Sequence, residues 1–267
     1  MKKYMFMAVA GMLALCSCSN DDNDIQDIQN APRQMTFTAG YNDGATTRAT
    51  LSGTSVTFDN PDYISILSVN NTNTQFTTSA GGASATFTGT AVDDSKFYAI
   101  SPYQMFLELD GDVIKNVEIP SNQMFRHTGD TWDSMAPIAY ATTEGSSLQF
   151  HNVCALLKIH NDVGDDVFIN IDCNNGVLTG IFDLDTSTDP ATLTVQADKE
   201  NPMVSLGQVP NNTTIYLAIA PGTVENLNAM YSITEPDKYG IKYKVGYVTF
   251  EAGKIYNLGS LSEWESH

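Results

Sequence analysis

Carboxylates are the most abundant reactive groups in this chain. Asp and Glu number 31 against 13 Lys and Arg, and several sit together, as in Asp93-Asp94, Asp110 with Asp112, and Asp165-Asp166. A hydrolase that works with two carboxyls needs them across a cleft. These pairs instead fall in polar, turn-like sequence, where carboxylates are solvated. Asp183-Leu184-Asp185-Thr186-Ser187-Thr188-Asp189 has the oxygen spacing that opens a calcium loop. It lacks the Gly at the sixth position and the Glu at the twelfth that complete one, so it reads as a polar exit from a strand. The histidines are His127, His151, His160 and His267, and none lies in an HExxH, HxH or C-x-x-C context. There is no GxSxG, phosphate loop or GxGxxG. Residues 89–96 (GTAVDDSK) carry a Lys but lack the second Gly of a phosphate loop. No catalytic residue, metal site or cofactor is expected, and the chain reads as non-enzymatic.

The four cysteines fall into two pairs. Cys154 and Cys173 lie symmetrically about Asn161-Asp162-Val163-Gly164-Asp165-Asp166, which looks like a hairpin turn. In that register the two face one another across the strands, either as a disulfide formed in an oxidising compartment or as two buried thiols. The other pair is in Leu15-Cys16-Ser17-Cys18, directly after Lys2, Lys3 and an apolar run over residues 4–15. The run is too short to span a bilayer and suits a secretory signal. Leu15 and Ser17 ahead of Cys18 resemble a bacterial lipobox, whereas Cys16 would require cleavage after the bulky Leu15. Residues 1–17 therefore read as a lipoprotein signal peptide and Cys18 as the diacylated new N-terminus. Residues 18–33 open with Ser19-Asn20-Asp21-Asp22-Asn23-Asp24 and form an acidic, flexible tether.

The elements that must position any site are strands. The chain of 267 residues is 42% hydrophobic and 10% aromatic, too apolar for disorder. Only 16% is charged, and the net charge of −18 argues against a nucleic-acid partner. Period-two alternation recurs between turn clusters: Met35-Thr36-Phe37-Thr38-Ala39, Val56-Thr57-Phe58, residues 63–69, Gln75-Phe76-Thr77, Ala85-Thr86-Phe87-Thr88 and residues 96–100. A polar break at residues 142–147 separates these from a long strand over 148–160 and further strands to residue 258. A short helix is expected near residues 224–231. The fold class is all-β, with an N-terminal sandwich over residues 34–147 and a C-terminal one over 148–267. Scattered aromatics read as core; Trp132, Tyr140 and Trp264 are the ones that an exposed sugar-stacking row would use.

Several of these segments together resemble the Bacteroidetes fimbrillins. The resemblance rests on the lipobox, the acidic tether, the early alternating strand, Thr46-Thr47-Arg48-Ala49, and Phe58-Asp59-Asn60-Pro61-Asp62-Tyr63-Ile64-Ser65-Ile66. It continues in Leu148-Gln149-Phe150-His151-Asn152-Val153-Cys154-Ala155 and Phe250-Glu251-Ala252-Gly253-Lys254-Ile255-Tyr256-Asn257-Leu258. The resemblance implies two tandem transthyretin-like β-sandwich domains and a role as a type V pilus subunit. It implies export as an outer-membrane lipoprotein precursor held through lipid on Cys18, then cleavage by an Arg-specific protease. Arg48-Ala49 matches that cleavage pattern; Arg33 precedes the first strand and its cleavage would remove nothing structural. Cleavage after Arg48 would release Met35, Thr36, Phe37, Thr38 and Ala39, within a first strand at residues 34–40, and a strand of another pilus subunit would refill the groove. Stalk subunits of the family donate a C-terminal extension. Here only residues 259–267 follow Leu258, with Glu263 and Glu265 flanking Trp264, which fits a tip subunit that meets a host or bacterial surface receptor. Asp133-Ser134-Met135 resembles a Bacteroidetes O-glycosylation pattern. The alternative is a surface lipoprotein that keeps its lipid, either a pilus anchor or a glycan-binding protein.

Overall fold

The computed structural model describes residues 31–41, 58–124, 137–233 and 239–266. Alternation sets the first strand, β1 (Arg33–Tyr41): Phe37 and Ala39 point inward and are buried, while Thr36 and Thr38 face water. Short polar turns then link β2 (Asp62–Ser68), β3 (Asn71–Thr78), β4 (Ser84–Ala91) and β5 (Phe97–Ser101). The strands β6 (Glu108–Asp110), β7 (Val113–Ile119) and β8 (Asn122–Gln123) leave this sheet, and β9 (Ala139–Thr143) and β10 (Ser147–Asn152) return to it. The sheet closes on itself in the order β1-β10-β9-β5-β2-β3-β4. Its interior holds Phe37, Phe58, Phe76, Phe87, Phe97 and Phe150.

The rest of the chain runs through β11 (Ala155–Asn161), β12 (Val167–Asn175), β13 (Thr179–Asp185), β14 (Thr192–Asn201), β15 (Met203–Val209) and β16 (Thr213–Ile219). It ends with β17 (Gly222–Ile233), β18 (Tyr239–Phe250), β19 (Ile255–Ser260), a single 3-10 turn at Leu261–Glu263, and β20 (Glu265–Ser266). Three sheets result, ordered β16-β11-β19, β20-β18-β17-β12-β15-β8 and β14-β13-β7-β6. The first two share a core that includes Leu157, Ile169, Ile171, Leu217 and Trp264. Another core, with Leu67, Ile100, Ile114, Leu156 and Phe182, draws on the closed sheet as well as on the others. Strands cross between the halves of the chain, since β7 pairs with β13 and β8 with β15. Gln123 on β8 also bonds both ways with the backbone of Ala218, at 2.6 and 3.0 Å, as a strand neighbour would.

The architecture is all-β, and no α-helix occurs among the described residues. In place of the first expected sandwich stands a closed sheet, because β1 bonds β10 in parallel on one side and β4 antiparallel on the other. The expected strand over residues 148–160 is two strands: β10 ends in the closed sheet and β11 begins the next, with the chain turning at Val153 and Cys154. Residues 161–166 are a crossover and not a hairpin turn, since β11 pairs with β16 and β19 while β12 pairs with β15 and β17. Buried Asn161 holds the crossover by donating its amide to the carbonyls of Asp165, Val209 and Pro210 at 2.9–3.0 Å. The helix expected near residues 224–231 is part of β17. The strand's phase shifts at Asn226, which has a positive φ of 52° and lies opposite a bulge in β18, so Val224 and Leu227 both face the core at a helix-like spacing of three.

Candidate functional site

The segment singled out as removable, Met35 to Ala39, lies within β1, and β1 is held on both edges. Its antiparallel ladder with β4 runs from Arg33 opposite Ala91 to Gly40 opposite Ser84. Its parallel ladder with β10 runs from Thr38 opposite Ser147 to Tyr41 opposite Phe150, and Thr38 donates its amide to the Ser146 carbonyl at 2.8 Å. Phe37 packs at 5.5 Å from the Phe76 ring and edge-on at 5.2 Å from Phe97. Tyr41 stacks on Phe58 at 5.1 Å, and Phe58 meets Phe87 and Phe150 in turn. The inner side of β1 is thus the keel of an aromatic core. At the strand's start Arg33 bonds Asp93 at 2.6 Å, with both side chains more than half exposed, a pair worth little to stability.

Two features mark the space around β1 as closely fitted. Gly89 on β4 lies opposite Met35, and a Cβ there would stand 2.5 Å from the Phe76 ring, so only Gly lets that ring fill the interior. The flanking strands, SATFTGTA in β4 and SLQFHN in β10, contain no Lys, Arg, Asp, Glu or Pro. Those are the residues that keep exposed strand edges from pairing. With β1 absent, these two strands would present unprotected edges on either side of a slot floored by phenylalanines. Chemically, the arrangement can bind one extended strand through main-chain bonds and alternate apolar side chains.

The other residues picked out by sequence fall differently. Cys18, Arg48 and Ala49 lie outside the described residues, as do Trp132, His127, His267 and Asp133-Ser134-Met135. Cys154 and Cys173 are not a cross-strand pair. Cys154 sits at the turn before β11 and Cys173 on β12, β11 and β12 do not bond one another, and the two thiols sit in different cores. The equal spacing about residue 163 implied contact only if the chain turned back there, and it crosses to another sheet instead. Burial pushes the Cys154 thiol up to about 12, and burial likewise raises Cys173, so neither is poised as a nucleophile. Two members of the expected sugar-stacking row are also core: Tyr140 and Trp264 are both buried. Tyr140 lies against His151, and Trp264 against Tyr231.

The carboxylates fasten turns. Asp112 accepts from Lys96 at 2.6 Å and from the Tyr98 hydroxyl. The Lys96 ammonium, with help from Tyr98, holds the Asp112 carboxyl below the usual range, and Lys96 is raised in turn, chiefly by its bond to Asp112. Asp94 accepts the backbone amides of Asn70 and Ser95, and Asp166 accepts from Asn211 and Gln208. Asp110 pairs with Lys115 at 3.0 Å. In the segment with calcium-loop spacing, Asp185 accepts from the Ser187 amide and hydroxyl, and Asp183 from Gln196. Among the described residues, no three His, Cys, Asp or Glu side chains are grouped so as to hold a metal ion.

Sequence reasoning missed what surrounds β1. Phe58, Phe76 and Phe87 each sat in a recognised strand, but nothing local said that they converge on Phe37. No protein-family model matches the chain, and no curated protein matches it either. Solved structures do. A candidate cell adhesion protein from Bacteroides ovatus ATCC 8483 is similar with a TM-score of 0.52 and 13% identity, over 89% of this chain and 95% of that one. One from Bacteroides uniformis ATCC 8492 gives a TM-score of 0.47 and 16% identity, over 88% and 97% respectively. At such identity the likeness is one of architecture: this chain has the fold of the Bacteroides ovatus protein.

Proposed function

We propose that the chain is a non-enzymatic subunit of a cell-surface pilus, exported as a lipoprotein on Cys18, trimmed after Arg48 and assembled by strand exchange. The observation that carries this reading is β1: it is bonded on both edges and seats Phe37 in the closed sheet's core. In this reading cleavage after Arg48 unlinks β1 from β2, so that a neighbouring subunit's strand takes its slot in the closed sheet. Arg33 is a poorer cleavage point, because its backbone is already in the ladder opposite Ala91 and a protease needs extended, unpaired chain. The fold shared with the Bacteroides ovatus adhesion protein agrees with an adhesive place at the cell surface. Leu261 and Trp264 are buried in their own core and β20 bonds β18, so this segment serves its own sheet and not a neighbour's. That favours a subunit which accepts a strand at the tip of the fibre.

Mass spectrometry of the N-terminus of protein taken from its native cell surface tests the proposal. A first residue at Ala49 is the expected result. A diacylated Cys18 still joined through Arg48 would overturn trimming and tip position together, and would make the chain an anchor that keeps its lipid.

A further inference from the structure

The outward face of the six-stranded sheet carries a second arrangement that strand exchange does not use. On β18, Tyr243 and Tyr247 are 60% and 74% exposed. A bulge lies between them, where Gly246 has a positive φ of 90° and donates its amide to the Asn226 side chain at 2.8 Å. Lys244 and Val248, the next residues along, lie opposite the core-facing Leu227 and Val224, so both rings emerge on the outer face: Tyr243 lies opposite Asn228 and Tyr247 opposite Glu225. On the next strand, Asp172 lies opposite Asn228 and Asn175 opposite Glu225. Asn228 donates to Asp172 at 2.8 Å, which fixes both side chains. The face therefore has a column of tyrosine rings beside two columns of amides and carboxylates. The rings are about 13 Å apart at most along extended chain, comparable with the length of a disaccharide.

The chemistry of the face selects its partner. None of its positions on β12, β17 and β18 is Lys or Arg, so it has nothing to offer a phosphate, a sulfate or an anionic lipid. Strand addition is also opposed along β18. Lys242 and Lys244 point to the other side of the strand at an edge that, among the described residues, only β20 covers, opposite Gly240 and Ile241, and the bulge bends that edge. Inward charge and bulges are how sheets refuse added strands. An uncharged sugar chain fits what remains, with ring faces to stack on tyrosine and hydroxyls to meet Asn228, Asp172, Glu225 and Asn175. We infer that Tyr243 and Tyr247, with this polar border, form a binding face for a neutral oligosaccharide.

Native gels of the full chain, cast separately with laminarin, yeast mannan, arabinogalactan or heparin, test this. The wild type should be slowed in at least one neutral gel and not by heparin. The double variant Tyr243→Ala/Tyr247→Ala should bind about tenfold more weakly or worse, while Tyr243→Phe/Tyr247→Phe, which keeps the rings, should still be slowed. Both rings are exposed, and a thermal melt matching the wild type shows that the variants fold. Unchanged mobility of the wild type in all three neutral gels overturns the inference, as does slowing that survives the alanine variant. Slowing by heparin alone also overturns it. So does an alanine variant that keeps its mobility but loses self-association in sedimentation, which would assign the face to a second copy of the chain.

Discussion

Phe37 on β1 is 1% exposed and Tyr247 on β18 is 74% exposed, though both are aromatic residues in long strands of alternating sequence. β1 has a neighbour along both edges and sends its rings into a closed sheet. β18 has β17 along one side and, among the described residues, only the two of β20 on the other, and it sends its rings to solvent. The strands around β1 carry no edge protection, while β18 carries Lys242, Lys244 and a bulge. On the proposed reading, the contrast separates two ways of binding. A slot takes a strand by main-chain bonds, so its edges must be able to pair; a display face binds through side chains, so its edge must not.

The sharpest way to break this contrast is to remove one ring from each region. Phe37→Ala should cost about 3–5 kcal/mol, the usual loss for a buried phenylalanine. Tyr243→Ala should stay within about 0.5 kcal/mol, as exposed substitutions do. Urea denaturation of both variants reads the difference. Equal losses would mean that β1 is no keel of the closed sheet, and the slot argument would fall with it.

Gly89→Ala sharpens the fit of the slot. The added methyl would meet the Phe76 ring at 2.5 Å, and overpacking of this kind costs about 1–3 kcal/mol. Pairing it with Phe76→Leu should recover part of the loss, since residues in contact are not additive. If the double variant is as unstable as the sum of the singles, the strain lies in the backbone and not against Phe76.

How far the sequence revealed these regions depended on whether the deciding contact was local. Alternation in Met35-Thr36-Phe37-Thr38-Ala39 found β1, and the expected strand at residues 63–69 nearly coincides with β2 at Asp62–Ser68. The partners of β1 were not readable, because β10 lies more than a hundred residues away. The same limit undid the expected pairing of Cys154 with Cys173, which assumed that the chain reverses at residues 161–166. At β17 the phase shift at Asn226 mimicked a helical period, and only the pairing with β18 reveals the bulge opposite it. Tyr243 and Tyr247 passed unremarked for a related reason: their even spacing puts them on one side of a strand, but only the pairing with β17 shows that this side faces away from the core.

The edge of β18 gives a smaller effect of a different kind. Lys244 is exposed and opposite Leu227, and Lys244→Val would strip one charge from the protected edge. Concentration-dependent association in sedimentation velocity is expected, with little change in the thermal melt. A variant that stays monomeric at high concentration would show that the bulge alone guards the edge, and would weaken the contrast with the uncharged strands beside β1.

The smallest effect lies at the rim of the closed sheet, where Asp112 ties Lys96 and Tyr98 of the β5 region to the turn between β6 and β7. The bond from Lys96, then that from Tyr98, lowers the folded-state pKa of Asp112 below its ordinary value. A carboxyl lowered on folding adds stability above its unfolded pKa of about 3.9. That stability is lost as pH falls through the lower folded value. The wild type should therefore lose stability below about pH 4, and Asp112→Asn should be slightly less stable at neutral pH with a flatter acid limb. Because the group is solvent-exposed, salt should shrink the difference. Binding at Tyr243 and Tyr247 should not follow this titration, since Asp112 lies in a different sheet from β18. If both moved together with pH, the two regions would be coupled, and slot and display face could no longer be treated as separate sites.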